Sequence, residues 1–264
     1  LFLSKYAAFS QLSQAFFDEK LNVSVGVRMD GSNYSKSMAN PFKQISPTLS
    51  VNYRLNEAFA LNMNVARYHQ IPAYTILGYR NNAGTLVNKD NGLEYIRADH
   101  YVFGLEYRTK KSSRITLEGF YKNYSNYPFS LKDSICLANQ GSDFGVVGNE
   151  AVKSISEGRT YGAEFLFQQK LYKGFYSVFA YTYVISEFLD KKGAYVPTAW
   201  DSRHIVSLTG GKRFKKGWEF GMRWLFSGGS PYTPYDIPTS SLIANWNING
   251  IGLLDYSKLN TQRE

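Results

Sequence analysis

The sequence holds one cysteine, Cys136, and three histidines among 264 residues. A lone thiol excludes an internal disulfide, and so few scattered soft ligands exclude a metal cluster. No run of about 18 apolar residues is present, which rules out a transmembrane helix. Mean hydropathy is negative, so averaging along the chain reads as soluble. Acidic residues number 21 against 30 basic ones, a net charge of +9 that invites a nucleic-acid reading. Much of the lysine, however, sits in short turns (Lys20, Lys110, Lys111, Lys173, Lys215, Lys216) rather than in one patch. A solvated rim accounts for this better, and no nucleic-acid partner is expected. A secretory leader is lacking too: Leu1 to Phe17 already reads as strand, and Asn260 to Glu264 stops in polar chain without a closing strand. The sequence is therefore expected to be an internal or truncated piece of a longer protein.

What the chain has in plenty is aromatic residues, 16% of the total with 21 Tyr and 18 Phe, together with strict two-residue alternation. Tyr and Trp suit bilayer interfaces, where a ring is half apolar and half wet. From Asn22 to Asp30, Val23, Val25, Val27 and Met29 point one way while Asn22, Ser24, Gly26, Arg28 and Asp30 point the other. Successive strand side chains face opposite sides, so such a segment has one greasy and one wet face. The same reading gives ten strands: Lys5–Phe17, Leu21–Asp30, Gln44–Leu55, Phe59–Tyr68, Ile96–Arg108, Arg114–Tyr124, Thr160–Leu171, Phe175–Ser186, Arg203–Phe214 and Trp218–Ser227. Leu49, Val51, Tyr53 and Leu55 oppose Thr48, Ser50, Asn52 and Arg54; Trp218, Phe220, Met222, Trp224 and Phe226 oppose Glu219, Gly221, Arg223 and Ser227. The first and eighth strands are apolar on both faces in places, and alternation does not assign them.

The joints carry a second rhythm. Asp18-Glu19-Lys20, Asn56-Glu57, Lys110 to Ser113, Tyr172-Lys173-Gly174 and Lys215-Lys216-Gly217 are tight turns. Long polar connections near residues 31–44, 69–95, 125–158, 187–202 and 228–264 alternate with them. Short turns at one rim and long loops at the other are the pattern of an up-and-down outer-membrane barrel, whose long loops lie outside the cell. A charge facing lipid at mid-depth costs about 2–4 kcal/mol, and essentially every charge in these strands is expected on the inward register. The inward set is Arg54, Glu106, Arg108, Glu118, Glu164 and Arg223, read as facing lumen water or whatever fills the lumen.

Two places bring His beside a carboxylate, Asp99-His100 and Asp201-x-Arg203-His204. Asp99 and His100 are adjacent on a strand and point to opposite faces, and both places lie where a long loop meets a strand and Asp or Arg commonly ties loop backbone to the rim, so neither is expected to be an acid–base pair. Catalytic and metal-binding residues are not expected, nor is a cofactor. The loop aromatics Tyr68, Tyr74, Tyr79, Tyr124, Tyr127, Phe129, Phe144, Tyr195, Trp200, Tyr232 and Tyr235 are many for exposed loops. Rings stack on sugars, haem or aromatic chelators at little entropic cost, so Tyr68, Tyr74, Tyr79, Tyr127, Phe129, Trp200, Tyr232 and Tyr235 are the ligand-binding candidates. The plainer reading is an upper aromatic girdle that packs loop on loop. Gly228-Gly229-Ser230-Pro231 marks a sharp strand exit and lacks the Lys-Ser/Thr of a phosphate loop.

The stretches YIRADHYVFGLEYR (95–108), LEGFYKNYSNYPFS (117–130), YGAEFLFQQKLYKGF (161–175), TAWDSRHIVSLTGG (198–211) and WEFGMRWLFSGGSPYTPYD (218–236) resemble the C-terminal half of a TonB-dependent outer-membrane receptor. LNVSVGVRMDG (21–31) is similar to a mid-barrel strand of that family. The resemblance implies an all-β transmembrane antiparallel barrel of about twenty-two strands around an N-terminal plug. Residues 1–264 would supply about ten of these, without the plug domain and the closing C-terminal strands. It further implies the outer membrane of a Gram-negative bacterium and contact with its lipid. Extracellular loops would capture a scarce nutrient (siderophore, haem, cobalamin, glycan or peptide) for import. The TonB complex would act through the missing N-terminal part, and a surface lipoprotein is a further partner the resemblance allows. Alternatives are a self-contained outer-membrane enzyme or adhesin, which needs a His–carboxylate pair on one inward face, and an all-β binding module soluble without detergent.

Overall fold

The computed structural model describes residues 2–110, 112–140, 147–250 and 252–263; Leu1, Lys111, Phe144 and Glu264 fall outside these. Ten long strands dominate: β1 (Lys5–Phe16), β2 (Leu21–Ser32), β3 (Ile45–Arg54), β4 (Phe59–Gln70), β5 (Ile96–Arg108), β6 (Ser113–Ser130), β7 (Val152–Tyr172), β8 (Phe175–Leu189), β10 (Arg203–Arg213) and β11 (Glu219–Ser227), with a three-residue β9 (Tyr195–Pro197) between β8 and β10. Each long strand lies antiparallel beside the next in one sheet, β1 through β8 then β10 and β11, while β9 pairs with the outer end of β8.

Hairpin turns occupy one end of the sheet. At Lys173-Gly174 both central residues have positive φ (49° and 85°), the type I′ geometry that matches strand twist. Phe17, Asp18 and Glu19 also run left-handed at φ 54°, 51° and 62°. All the long connections gather at the opposite end. The second of them holds two one-turn helices, α1 (Tyr74–Leu77) and α2 (Val87–Asp90).

Cross-strand register extends the two faces seen in single strands. Tyr53, Leu61, Leu105, Leu117, Phe165 and Tyr181 align in one row. Asn22, Asn52, Asn62, Gly104, Glu118 and Glu164 align in a row on the other face. The polar face is knitted by side-chain bonds: Asn52 Nδ2 donates to Asn62 Oδ1 at 2.6 Å and Asn64 Nδ2 to Ser50 Oγ at 2.7 Å. No second layer of the described chain covers the apolar face, where Phe103, Leu117 and Trp224 remain 57%, 55% and 50% exposed. A soluble sandwich would bury those side chains.

Pairing also assigns the two ambiguous strands. In β8, Phe179, Tyr181, Tyr183 and Ile185 share the apolar register with Phe167, Phe165, Ala163 and Tyr161. In β1, Leu12 pairs with Val25 on the apolar side and Ser13 with Ser24 on the polar side.

Three expectations need correction. The connection placed at 125–158 shrinks to 131–151, because β6 and β7 continue past the apolar belt and pair through register shifts at Tyr124/Tyr127 and Tyr127/Pro128. Tyr127 and Phe129 are therefore strand residues. The final connection is not plain polar chain either: Gln262–Arg263 returns to pair with Pro231–Tyr232. Lastly, charges do occur on the outward register. Arg67 and Asp99 pair across β4 and β5, and Arg159 and Glu187 across β7 and β8, one pleat beyond the row Val65, Tyr101, Tyr121, Tyr161, Ile185. They lie above the apolar belt rather than in it, where the cost of facing hydrocarbon no longer applies.

Among the described residues β1 bonds only to β2 and β11 only to β10, and both are exposed along their whole length. The barrel is thus partial, an open arc. Packed core appears instead among the long connections, where Tyr34, Met38, Ile76, Leu77, Leu93, Tyr95, Leu137 and Val152 form one buried cluster.

Candidate functional site

The polar face ends, at the long-loop rim, in a vestibule of about 1010 Å³. Tyr68, His69, Gln70, Ile96, Ala98, His100, Tyr124 and Tyr127 line it from β4, β5 and β6; Ile71, Ala73, Ile76, Leu137, Gln140, Val147, Ala199 and Trp200 come from the loops.

Register builds its floor. Tyr68, Ala98, Tyr124, Gly158 and Phe188 are successive partners across β4 to β8, so large and small side chains alternate. A Cβ on Gly158 would collide with the Phe188 ring, which takes the space the glycine leaves. The His100 ring sits edge-on to Tyr68 at 4.8 Å, and Phe188 meets Tyr127 edge-on at 4.7 Å.

The roof is held by side chains that satisfy loop backbone. Buried Asn88 donates to the carbonyls of Ile76 and Glu150, both at 2.8 Å, and accepts the Val152 N–H at 2.8 Å. Tyr34 donates to the Leu77 carbonyl at 3.0 Å. Burial, with Asp90 nearby, pushes the Tyr34 hydroxyl up to about 12, so it remains a neutral donor. Asn260 reaches the carbonyls of Asn139 (2.8 Å) and Pro197 (2.7 Å), drawing the last segment onto the 131–151 loop and β9.

Of the eight ligand candidates, Tyr68, Tyr127 and Trp200 converge on the vestibule. Tyr74 stands exposed on α1 and accepts from Lys5 Nζ at 2.8 Å. Tyr79 follows α1 half-buried, while Phe129 turns into the cluster of Cys136, Ala138 and Phe188. Tyr232 and Tyr235 lie on the final connection, the latter bridged to Leu254, and neither lines the vestibule. His100, no part of an acid–base pair, stands in the vestibule wall, and its inward register is the one sign of that place in the sequence. The remaining lining residues, Gln140 and Ala199 among them, carry no periodic signal.

On the polar face below, Glu106 is ion-paired with Arg108 and lies 3.7 Å from Arg114. Glu118 and Glu164 are direct cross-strand partners. Arg54 reaches the Glu19 carbonyl at 3.3 Å, and Arg223 pairs with Thr209.

Neither His–carboxylate juxtaposition makes a dyad. Asp99 takes Arg67 at 2.6 Å, on the face opposite His100. Asp201, fully buried, accepts the Ser186 N–H at 2.9 Å and pairs with Arg203 (3.0 Å) and Arg263 (2.5 Å). His204 Nδ1 instead lies 2.9 Å from the Tyr181 hydroxyl. Both carboxylates tie the loop rim.

A family model described as TonB dependent receptor-like, beta-barrel matches residues 3–260. The chain belongs to the TonB-dependent receptors. That family is made of transport receptors rather than enzymes. No curated protein matches the sequence. Among solved structures the chain is similar to the pyoverdine outer membrane receptor FpvA from Pseudomonas aeruginosa PAO1, with a TM-score of 0.63 and 18% identity over 90% of this chain and 33% of that one. It is also similar to the alcaligin outer membrane receptor FauA from Bordetella pertussis, with a TM-score of 0.57 and 14% identity over 86% of this chain and 37% of that one. A third is the copper transporter OprC, with a TM-score of 0.60 and 16% identity over 85% and 34%. At such identities the likeness shows the fold alone, and the chain spans about a third of the receptors it matches. The TonB-dependent receptor barrel thus places the vestibule at its long-loop mouth, above a polar inner wall.

Proposed function

We propose that residues 1–264 form ten strands of a nutrient receptor in the outer membrane of a Gram-negative bacterium. The vestibule at its mouth captures the cargo. The observation that carries this reading is an aromatic chamber opening onto the polar side of a sheet whose other side is bare and apolar. Tyr68, Tyr127 and Trp200 supply stacking surfaces, with His100 and the amides of Gln70 and Gln140 beside them. Tyr74, Tyr79, Phe129, Tyr232 and Tyr235 act further out, by positioning the loops that close over cargo.

The strands that close the cylinder and the plug that fills it belong to the rest of the parent chain; the two unpaired edges and the one-third coverage of solved receptors support this. Arg54, Glu106, Arg108, Glu118, Glu164 and Arg223 face that plug or the water around it. Glu118 opposite Glu164 costs stability unless a cation answers them. Import then follows when the TonB complex, acting on the parent's N-terminal part, moves the plug; a surface lipoprotein would join at the loops.

The test uses the parent receptor in its own bacterium. Deleting its gene and screening limiting iron and carbon sources identifies the cargo by lost growth. Complementation with Trp200→Ala plus Tyr68→Ala should leave outer-membrane levels unchanged and reduce uptake at limiting cargo by about tenfold or more, each lost stack being worth about 1 kcal/mol. Full rescue by the double variant would remove the vestibule from the pathway.

A further inference from the structure

Charge is spread unevenly over the polar face. Among the described residues, none that lines the vestibule is Asp, Glu, Lys or Arg. The inward register of β4 carries that neutrality down toward the hairpin end, through Gln70, Tyr68, Ala66, Asn64, Asn62 and Ala60. Beside it, Ser13, Ser24, Ser50 and Asn52 from β1 to β3 complete a cavity of about 640 Å³, which meets a carboxylate only at its Glu118 margin. The inward charges of β1 to β3, Lys5, Arg28, Asp30 and Arg54, lie toward the strand ends, and Arg28 is held by Asp30 at 2.7 Å. On β5 to β7, by contrast, Glu106, Arg108, Arg114, Glu118, Lys122 and Glu164 crowd the inward register. Lys122, cross-strand from His100, lies over the Phe120 ring, 5.2 Å from its centroid. The amides of the neutral lane pair with one another and keep capacity to spare. Asn62 Oδ1 accepts from Asn52 and Asn64 donates to Ser50, while the Asn62 NH2 and the Asn64 amide oxygen take no partner among the described residues.

We propose that the cargo is an uncharged oligosaccharide, and that it descends from the vestibule over Asn64, Asn62 and Asn52 once the plug moves. This rests on the receptor reading above and narrows its cargo. An ion entering a confined lumen loses water and must be met by opposite charge, and neither the vestibule nor the lane offers any. A sugar hydroxyl both donates and accepts, as do an asparagine amide and a serine hydroxyl, so each spare amide group in the lane finds a match. The C–H face of a hexose suits the Tyr68 and Trp200 rings above. The charged strip of β5 to β7 is the side that holds the plug by ion pairs, which leaves β1 to β4 as the side where plug and wall part.

Cells lacking the parent's gene are grown on limiting neutral oligosaccharides (hydrolysed starch, xylan or mannan), on limiting oligogalacturonate, and with ferric citrate as limiting iron. Growth should fail on one or more of the neutral sugars only. Uptake of that sugar, radiolabelled, is then followed in cells complemented with Asn62→Val plus Asn64→Val or with Asn62→Thr plus Asn64→Thr. Val and Thr share a shape and differ by one hydroxyl, and both suit strands, so both pairs should fold. The Val pair should slow uptake about fivefold at unchanged receptor level, two neutral hydrogen bonds being lost, and the Thr pair should recover most of that rate. Equal rates for the two pairs would overturn the lane. So would a Val pair that admits vancomycin while sugar uptake holds, since the lane would then be a plug anchor. Growth lost on oligogalacturonate or ferric citrate instead, or only on other sources in the wider screen, would overturn the uncharged sugar and leave the receptor reading standing. Growth kept throughout that wider screen would bring down the receptor reading itself.

Discussion

Cys136, the one thiol, shows how far a single residue's neighbours set its chemistry. It is wholly buried in the 131–151 connection beside Ala138 and Phe188, and its Sγ accepts the Ala138 N–H at 3.4 Å. Burial pushes the thiol up to about 11 from an ordinary 9.0. The folded loop therefore favours the neutral thiol. Its stabilising share is complete below pH 9.0 and is lost as pH rises through about 11. At neutral pH the folded receptor should resist maleimide labelling and react only once denaturant opens the loop; rapid labelling of folded protein would show that the loop core is not packed as described. Asn88 and Asp201 act at the same scale, each satisfying backbone or charge that would otherwise be stranded at a buried rim.

At the scale of the strand, alternation gave the faces wherever one side was polar, as in β2, β3, β5 and β11. It could not assign β8, because Val178, Ala180 and Val184 on the inner register are nearly as apolar as Phe179, Tyr181 and Tyr183 on the outer. Only pairing with β7 decides it. Pairing also explains Gly162, where an added Cβ would strike the Tyr183 carbonyl and crowd the Phe120 ring. Gly162→Val should cost about 1–3 kcal/mol through a forced opening of the β7–β8 ladder. The loss should appear as a lower melting point of the receptor in detergent, with β2 and β3 unaffected by hydrogen exchange. An unchanged melting point would mean the strands yield without strain. The reach of β6 and β7 past the belt was hidden because Ser125 to Pro128 reads as loop by composition while its backbone still pairs through a bulge.

Taken whole, the described residues form an arc with two raw edges, and none of them layers over its apolar side. Isolated residues 1–264 should therefore aggregate or self-associate through β1 and β11 in detergent. Light scattering after size exclusion checks this, and a monomeric, fully folded isolated chain would contradict it. Sequence alone determined the alternation, the turn rhythm and the face of most strands, since these depend on neighbours one or two residues away along a ribbon. The vestibule was decided only by tertiary structure. Its walls join Tyr68 to Tyr124 and Trp200, and its roof hangs on contacts such as Asn88 to Glu150 and Asn260 to Asn139. Loop residues so far apart in the chain obey no period, and what brings them together is the closing of backbone hydrogen bonds that water cannot reach.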